Sequence, residues 1–433
     1  MSAKKVLIIA YYWPPAGGPG VQRWLKFVKY LPDFDIEPIV YCPENPNYPL
    51  VDNILHNEVS DKVTIIKQPI FEPYKIASLF SKKKTKTIAS GLISTKKQSF
   101  VEKLLLYIRG NYFIPDARKF WVKPSVKFLT AYIKEHHIDT IITTGPPHSV
   151  HLIGMQLKEQ LNVNWLADFR DPWTTIGYHN KMKLTLKSQK KHKYFEKTVL
   201  QNTDKIIVTS PTTKEEFQLI TKQPISVITN GFDDVLLEKT ELDSKFTIAH
   251  IGSLLTGRNP EVLWQVLVEL IQENTAFKNA FELKLIGAVS DDVLASIYTY
   301  GLKDYISLLG YMSHKDAQIQ QRQSQVLLLV EIDSPETKCI IPGKLFEYMQ
   351  SGRPIIGFGP ENADFKTILS STNSGNSYNY KESEKEAIKS NILSYFEAYQ
   401  TNSLRANNIG VQQFHRKQLT EQLAAILKPL LKP

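Results

Sequence analysis

Residues 246–271, FTIAHIGSLLTGRNPEVLWQVLVELI, decide the fold class of this chain. The apolar run at 246–252 predicts a strand that enters a glycine turn, and residues 261–271 carry apolar side chains at helical spacing. The same order opens the chain, where the run at 6–10 precedes the turn PPAGGPG and a helical pattern at 22–31. Two such openings in one chain predict two α/β domains.

Strand-like runs recur after each opening, and helical stretches separate most of them. The predicted strands lie at residues 37–41, 63–66, 140–143, 164–167 and 205–208 after the first opening, and at 283–286, 306–309, 325–330 and 354–357 after the second. Such alternation is typical of a parallel sheet with helices on both faces. We therefore predict an α/β fold of two Rossmann-like, doubly wound domains that face each other across a cleft.

The domain boundary is predicted in the polar stretch 233–245. The first domain then covers residues 1–235 and the second covers residues 246–410. Residues 411–433 are predicted to form a C-terminal helix that can pack back on the first domain. A length of 433 residues agrees with two cores rather than one.

The composition narrows the class of protein. Apolar residues make up 42% of the chain and charged residues 22%, as in folded globular proteins. Cys42 and Cys339 are the only cysteines, which excludes a disulfide framework or a cysteine-rich zinc site and favours a cytoplasmic location. A net charge of +10 favours anionic surfaces or phosphate-bearing ligands. Because no apolar run approaches the roughly 20 residues of a spanning helix, membrane contact is predicted to be peripheral.

The segment at about 74–123 interrupts the α/β rhythm and is both basic and aromatic. Its sequence FVEKLLLYIRGNYFIPDARKFW follows six lysines, which are Lys82, Lys83, Lys84, Lys86, Lys96 and Lys97. Such an insertion can lie on the anionic inner face of the plasma membrane, with lysines at the headgroups and apolar side chains inserted. The alternative is a solvated loop followed by a core helix.

Both glycine turns are candidate phosphate sites. Gly17 and Gly18 in the first turn, and Gly252 and Ser253 in the second, lie between a strand and a helix. Backbone amides at such a position can bind a phosphate. The first turn lacks the GxGxxG spacing and contains a proline, which disfavours a nicotinamide or flavin cofactor.

Residues 338–357, KCIIPGKLFEYMQSGRPIIG, contain the most informative motif. Pro342 suits a first helical turn, and Lys344 and Glu347 share one helical face because they are three residues apart. In a cleft, Glu347 can accept hydrogen bonds from ribose hydroxyls. Arg258, after the second glycine turn, can bind a diphosphate bidentately. The alternative for Lys344 and Glu347 is an ion pair on a solvated helix.

These motifs resemble those of the retaining nucleotide-sugar glycosyltransferases of family four, especially the branch that builds bacterial surface polysaccharides. The matching motifs are GGPG at 17–20, DFRDPW at 168–173, TNGFD at 229–233, IGSLLTGRNP at 251–260 and PGKLFEYMQSGRPI at 342–355. The resemblance covers nearly the whole chain. It implies a GT-B fold and a retaining transfer of a sugar from a nucleotide-diphosphate donor.

The resemblance also implies roles for single residues. Glu347 matches the carboxylate that holds the donor ribose, Arg258 matches the cation on the diphosphate, and Gly17 with Gly18 matches the loop that faces it. Lys344 is inferred to be the second cation.

The chain departs from the family in its pair of glutamates. The family pattern is E-x7-E, and the residue eight positions before Glu347 is Cys339. Glu336 in the same loop can substitute, or backbone amides near Ile340 and Ile341 can face the sugar.

The first domain supplies further candidates where two predicted strands end. His148 follows the strand at 140–143, and it can hydrogen-bond the transferred sugar or the acceptor; the alternative is a histidine that caps a helix. Asp168, Arg170 and Asp171 follow the strand at 164–167 and can shape an acceptor pocket. The alternative for these three residues is a structural Arg–Asp pair.

Residues 33–35, DFD, match the DxD motif of metal-using glycosyltransferases, but they lie between the first helix and the next strand. We interpret them as a turn and predict an enzyme that needs neither a metal nor a cofactor. Its predicted partners are a nucleotide-diphosphate sugar, a saccharide or lipid-linked acceptor and an anionic membrane surface, without nucleic acid. Two alternatives remain, a GT-B nucleotide-sugar epimerase and a non-catalytic basic membrane-binding protein. The sequence leaves the base, sugar, linkage, acceptor and oligomeric state open.

Overall fold

The computed structural model describes residues 4–73, 100–177, 179, 182–234 and 240–431. It divides the chain into two compact units. One unit contains Met1–Asn230 together with Arg416–Pro433, and the other contains Gly231–His415. The six lysines of the predicted basic insertion lie outside the described residues.

The first unit is built on a seven-stranded parallel sheet. Its strands are β1 (Lys4–Ala10), β2 (Ile36–Pro43), β3 (Thr64–Gln68), β4 (Thr140–Gly145), β5 (Asn164–Phe169), β6 (Lys205–Val208) and β7 (Ile225–Val227). The order across the sheet is β3-β2-β1-β4-β5-β6-β7. Its helices are α1 (Pro19–Tyr30), α2 (Phe100–Tyr112), α3 (Lys119–Glu135), α4 (Ser149–Leu161), α5 (Leu186–Asn202) and α6 (Pro211–Gln218).

The second unit is built on a six-stranded parallel sheet of order β10-β9-β8-β11-β12-β13. Its strands are β8 (Phe246–Ile251), β9 (Phe281–Ile286), β10 (Ile306–Gly310), β11 (Val326–Val330), β12 (Ile355–Phe358) and β13 (Gly375–Tyr378). Its helices are α7 (Glu261–Glu273), α8 (Thr275–Ala280), α9 (Asp291–Thr299), α10 (His314–Gln323), α11 (Gly343–Gln350), α12 (Asp364–Ser371) and α13 (Lys385–Gln400).

Both sheets are covered by helices on their two faces because successive strand residues point to opposite faces. In β1, Leu7 and Ile9 pack in one apolar cluster with α3 and α4, whereas Val6 and Ile8 pack in another with α1. The strands of the second unit divide in the same way between clusters with α7 and α11. The predicted α/β class is confirmed.

The last helix, α14 (Arg416–Leu427), belongs to the first unit. Leu419, Leu423 and Leu427 lie in the same buried cluster as Trp24 and Leu25 of α1. After α14, the carbonyl of Leu430 accepts a hydrogen bond of 3.0 Å from Thr140 Oγ1 at the start of β4.

The predicted strands are all present, and two short strands, β7 and β13, were not predicted. Residues 33–35 form a turn between α1 and β2: Asp35 has a φ of 63°, and its N–H donates to Pro32 O. Asp33 forms an ion pair with Lys417 at 2.7 Å. The turn interpretation is confirmed. Among the described helices, none combines the length and the apolar character needed to cross a bilayer.

Candidate functional site

The carboxyl ends of parallel strands lie along one edge of a sheet, and the glycine turns of the second unit lie there. Gly252 follows β8 with a φ of +121°, a left-handed conformation that suits glycine. A Cβ at Gly252 would lie 2.6 Å from Lys344 Nζ. At the end of β9, a Cβ on Gly287 would lie 2.5 Å from the Gly252 carbonyl oxygen. The bare backbone at Gly252 therefore lets the Lys344 ammonium approach the turn.

Lys344 lies in the first turn of α11, and its environment is unfavourable to a charged ammonium. Burial, followed by the positive charge of Arg258, lowers the pKa of Lys344 to about 8, while the carboxylates of Glu331 and Glu347 oppose the shift. Two cations and two carboxylates therefore influence one another at this edge of the sheet. An anionic ligand would relieve the repulsion between the cations.

Arg258 lies at the end of the second glycine turn and is held by a buried carboxylate. Its Nη2 donates to Glu331 Oε1 at 2.8 Å, and the same oxygen accepts from the Ile332 N–H at 2.8 Å. The Tyr380 hydroxyl donates to the Glu331 carbonyl oxygen at 2.5 Å. The Arg258 side chain keeps 25% of its surface exposed, against 4% for Glu331. The guanidinium is thus fixed on one side and open on another.

Glu331 was not predicted as a site residue. It directly follows the buried strand β11, whose sequence is VLLLV. A carboxylate immediately after a fully buried strand was the signal that could have identified it, since the carboxyl ends of the strands form the candidate site.

Glu347 lies on α11 three residues after Lys344, and two side chains of α10 contact it. His314 Nε2 lies 3.1 Å from Oε1, and Gln321 Nε2 donates to Oε2 at 3.2 Å. The Glu347 side chain is 19% exposed. The carboxylate is therefore oriented by its neighbours and still reachable by a ligand.

The other predicted residues of this unit lie around the same turn and loop. Ser253 is exposed directly after Gly252. Glu336 is exposed in a short 3-10 turn, where its carboxylate accepts a hydrogen bond from Ser334 Oγ. Cys339 is buried, with its Sγ 3.9 Å from the Glu336 carbonyl oxygen.

The first unit has its glycine turn after β1. Gly18 has a φ of +106° and precedes α1, and the Gly17 N–H donates to Leu50 O at 3.0 Å. Gly20 was not predicted as a site residue, yet a Cβ there would lie 1.5 Å from Arg170 Nη1. The turn therefore packs its backbone directly against the Arg170 guanidinium.

Arg170 joins the glycine turn to the loop after β4. Its Nε donates to Gly145 O at 3.2 Å, and its Nη2 donates to Pro146 O. Burial raises the pKa of Asp171 above its usual range, although the adjacent Arg170 charge opposes the shift. Arg170 and Asp171 thus lie at the carboxyl edge of the first sheet.

Asp168 is completely buried at the end of β5. Oδ1 accepts from Arg23 Nη2 at 3.1 Å, and Oδ2 accepts from Trp24 Nε1 at 2.6 Å and from Thr144 Oγ1 at 2.8 Å. Arg23 also donates to Thr229 O at 2.7 Å. An acceptor would have to displace this network to reach the Asp168 carboxylate. The hydrogen bonds of Asp168 to Arg23 and Trp24 hold α1 against the sheet.

His148 precedes α4 and is buried against Trp173. The two rings are nearly parallel, with centroids 4.7 Å apart, and neither ring nitrogen has a hydrogen-bond partner among the described residues. Burial, followed by the neighbouring His151, lowers the pKa of His148 well below its ordinary value. The imidazole is therefore neutral near pH 7 and able to hydrogen-bond a hydroxyl.

Comparison with known proteins identifies the fold. Residues 94–235 match the model of Glycosyltransferase Family 4. The structure of Anabaena HepE in complex with UDP superposes with a TM-score of 0.62 at 14% identity, covering 98% of this chain and 100% of that one. The chain has the GT-B fold.

Further solved structures share the fold of this chain. The lipopolysaccharide outer core galactosyltransferase WaaB matches with a TM-score of 0.55 at 14% identity, covering 98% of this chain and 99% of that one. A mutant of S. aureus TarM in complex with fondaparinux, α-GlcNAc-glycerol and UDP matches with a TM-score of 0.56 at 13% identity, covering 99% and 100%. No curated protein sequence matches the chain.

Within this GT-B fold, the predicted residues form one group in each unit. Arg258, Lys344 and Glu347 gather at the edge of the second sheet. His148 and Arg170 follow neighbouring strands at the edge of the first sheet. The described residues contain no cluster of three or more His, Cys, Asp or Glu side chains suited to holding a metal ion.

Proposed function

We propose that this protein is a glycosyltransferase that transfers a sugar, with retention of configuration and without a metal, from a nucleotide diphosphate to a lipid-linked or saccharide acceptor. The acceptor belongs to cell-surface polysaccharide biosynthesis, and the enzyme works at the inner face of the plasma membrane. The HepE structures contain UDP or UDP-glucose, and the TarM structure contains UDP, which favours a UDP-sugar donor.

The observation that carries the proposal is the pair of cations beside the Gly252 turn. Arg258 is anchored by Glu331 at 2.8 Å, and Lys344 lies over a backbone that lacks a Cβ. A diphosphate placed there would meet two fixed positive charges and the backbone of the turn. These groups need little rearrangement when the ligand binds.

The same cations explain how the sugar can leave. Negative charge grows on the diphosphate oxygen as its bond to the sugar breaks, so fixed cations stabilise the transition state more than the bound donor. A bound diphosphate also favours the protonated form of Lys344, whose pKa burial lowers to about 8. Arg258 and Lys344 take the charge-neutralising role that a divalent cation has in metal-using enzymes.

Glu347 is assigned to the donor ribose. Its carboxylate is held by His314 and Gln321 at one edge and is 19% exposed. A carboxylate can accept hydrogen bonds from two ribose hydroxyls, and such charge-assisted bonds are stronger than neutral ones. Its position one helical turn after Lys344 suits a nucleoside joined to the diphosphate.

The first unit supplies the groups assigned to the sugar and the acceptor. The buried, neutral His148 can hydrogen-bond a sugar or acceptor hydroxyl through either ring nitrogen. Neither nitrogen has a hydrogen-bond partner among the residues that the structure describes. Arg170 and Asp171 lie at the same sheet edge and are assigned to the acceptor.

In the proposed mechanism, the sugar passes through an oxocarbenium-like state as the nucleotide diphosphate departs. The acceptor hydroxyl approaches from the face that the leaving group vacates, which retains the configuration. A phosphate oxygen of the leaving group accepts the hydroxyl proton, so no protein nucleophile is required.

A ligand screen followed by product analysis tests the proposal. UDP or a UDP-sugar should raise the melting temperature in the presence of EDTA, because a ligand that binds only the folded state stabilises it. Transfer to a lipid-linked or saccharide acceptor should yield the α-linkage of an α-linked donor. Stabilisation that disappears with EDTA, an inverted linkage, or an epimerised sugar nucleotide as the only product would contradict the proposal.

A further inference from the structure

Helix α5 has an exposed face of one charge sign. Its sequence, LKSQKKHKYFEKTVLQN, contains a single carboxylate, Glu196, which is buried. The exposed positions include five lysines, namely Lys187, Lys190, Lys191, Lys193 and Lys197. Leu186 and Tyr194 are 76% and 65% exposed on the same helix. A basic face with large apolar side chains is typical of a helix that lies on a lipid headgroup layer.

The neighbouring ends of α2 and α3 continue this character. Leu104, Tyr107 and Tyr112 of α2 are exposed, and Phe120 of α3 is 42% exposed. Lys119 Nζ lies 5.5 Å from the ring centroid of Phe113 and 5.2 Å from that of Phe120. One lysine ammonium group therefore lies among large aromatic side chains at these helix ends.

Contacts between the described residues make α2, α3 and α5 one continuous surface. Lys119 Nζ donates to Tyr112 O at 2.6 Å, which joins α3 to α2. The Thr185 N–H donates to Asn111 Oδ1 at 2.8 Å, which joins the start of α5 to α2. Burial and then the charge of Lys191 lower the pKa of Lys119, so the ammonium groups of α3 and α5 influence each other.

This surface adjoins the candidate acceptor residues of the first unit. Asp116, just before α3, accepts hydrogen bonds of 2.9 Å from both the N–H and the Oγ of Ser149, the residue after His148. Trp173, which stacks on His148, donates its Nε1–H to His192 of α5 at 3.3 Å. The residues just before α3 and the second turn of α5 therefore lie close to His148.

We propose that this basic-aromatic surface docks on an anionic phospholipid bilayer. On α5 it consists of the exposed side chains of Leu186, Lys187, Lys190, Lys191 and Tyr194, and it continues over the exposed apolar side chains of α2 and α3 named above and the half-buried Lys119. Lysines attract the negative headgroups, and the apolar side chains insert at the boundary with the acyl chains.

Docking there holds a lipid-linked acceptor next to His148, a consequence that rests on the proposed function. The α2 and α3 side chains of this surface belong to the segment of about 74–123 for which the sequence predicted membrane contact, whereas the α5 side chains lie outside that segment. The exposed face of α5 alone would therefore carry a measurable share of the binding.

Vesicle flotation with the full-length chain tests the proposal. Vesicles of phosphatidylglycerol and phosphatidylcholine should bind the wild type at low salt, and vesicles of phosphatidylcholine alone should bind it far more weakly. The triple variant Lys187→Glu, Lys190→Glu, Lys191→Glu should lower the partition coefficient by roughly a hundredfold. Leu186→Ser with Tyr194→Ser should lower it on the order of tenfold without changing the net charge.

The matched control replaces three exposed lysines elsewhere by glutamate: Lys62, Lys222 and Lys303. It changes the net charge by the same amount and should bind vesicles within about threefold of the wild type, since attraction decays within a Debye length. Equal losses in the two triple variants, or no loss in the α5 variant, would overturn the proposal. Binding of soluble polyphosphate that matches vesicle binding would also overturn it.

UDP-induced stabilisation, measured on the same triple variant, separates this proposal from the proposed function. A variant that loses vesicle binding and keeps its response to UDP supports both proposals. Unchanged vesicle binding with a normal response to UDP rejects the docking surface alone. Lost vesicle binding in a protein that never responds to nucleotides supports the docking surface and rejects the glycosyltransferase proposal.

Discussion

The two units each contain a buried carboxylate that pairs with an arginine, but the two pairs differ in exposure. In the first unit, the Arg23 and Asp168 side chains are 2% and 0% exposed, and each has further partners in the interior. In the second unit, Glu331 is equally buried, whereas Arg258 keeps 25% of its surface exposed. The first pair leaves almost none of its charged surface exposed to a ligand. The second leaves part of a fixed guanidinium available to a ligand.

The largest effect is expected from breaking the fully buried pair of Arg23 and Asp168. Asp168→Ala leaves the Arg23 charge buried without its carboxylate and removes the acceptor for Trp24 and Thr144. Loss of one partner of a buried pair costs about 3–5 kcal/mol of unfolding free energy. Urea denaturation followed by tryptophan fluorescence measures this loss. A change below about 1 kcal/mol would show that the network is dispensable.

Breaking the partly exposed pair of Arg258 and Glu331 should affect catalysis more than stability. Arg258→Ala should lower kcat by roughly 10² to 10³, because it removes a preorganised charge from the leaving group. Arg258→Lys should recover only part of the rate, since lysine cannot bind two phosphate oxygens bidentately. The exposed Arg405→Ala is the matched control and should keep normal kcat. A folded Arg258→Ala enzyme with near-normal kcat would contradict the leaving-group assignment.

A smaller effect is expected at the ribose carboxylate. Glu347→Ala should weaken UDP binding by more than about tenfold, since a hydrogen bond to a charged group contributes about 1.5–3 kcal/mol. Calorimetric titration of UDP measures the change, and Glu397→Ala on an exposed face of α13 is the control. If both variants bind UDP as tightly as the wild type, Glu347 does not contact the ribose.

The smallest effect is a dependence of donor affinity on pH. The pKa of Lys344 is lowered to about 8, so the ammonium is charged below that pH and loses its proton above it. Donor affinity should therefore fall as pH rises above about 8, by at most tenfold per pH unit. Lys344→Arg keeps its charge in this range and should remove the inflection. An unchanged inflection in that variant would assign the titration to another group.

The sequence predicted the sheets because their central strands are apolar on both faces. The strands β7 and β13 escaped prediction because they lie at sheet edges and are short, and GNSY in β13 has little apolar character. A local pattern contains too little information to identify such strands, whose formation depends on pairing with a neighbour.

The candidate site was predictable only in part. Residues Arg258, Lys344 and Glu347 follow turns or open a helix, so their common location at the sheet edge could be inferred. The pairing of Arg258 with Glu331 could not be inferred, because Glu331 lies 73 positions away in the chain. For Asp168, the same position after a strand gave no indication that α1 would cover the carboxylate.

The return of α14 to the first unit affects the order in which this chain can fold during synthesis. A ribosome releases the N-terminal part of a chain first, and domains often fold as they emerge. Here, the face of α1 that contains Trp24 and Leu25 can be buried only after Leu419, Leu423 and Leu427 have been synthesised. The first unit to emerge is therefore the last to complete its core, and nascent chains stalled before Arg416 should be cleaved by protease within that unit. Protection of those stalled chains equal to that of the released protein would show that α14 joins a core that is already stable.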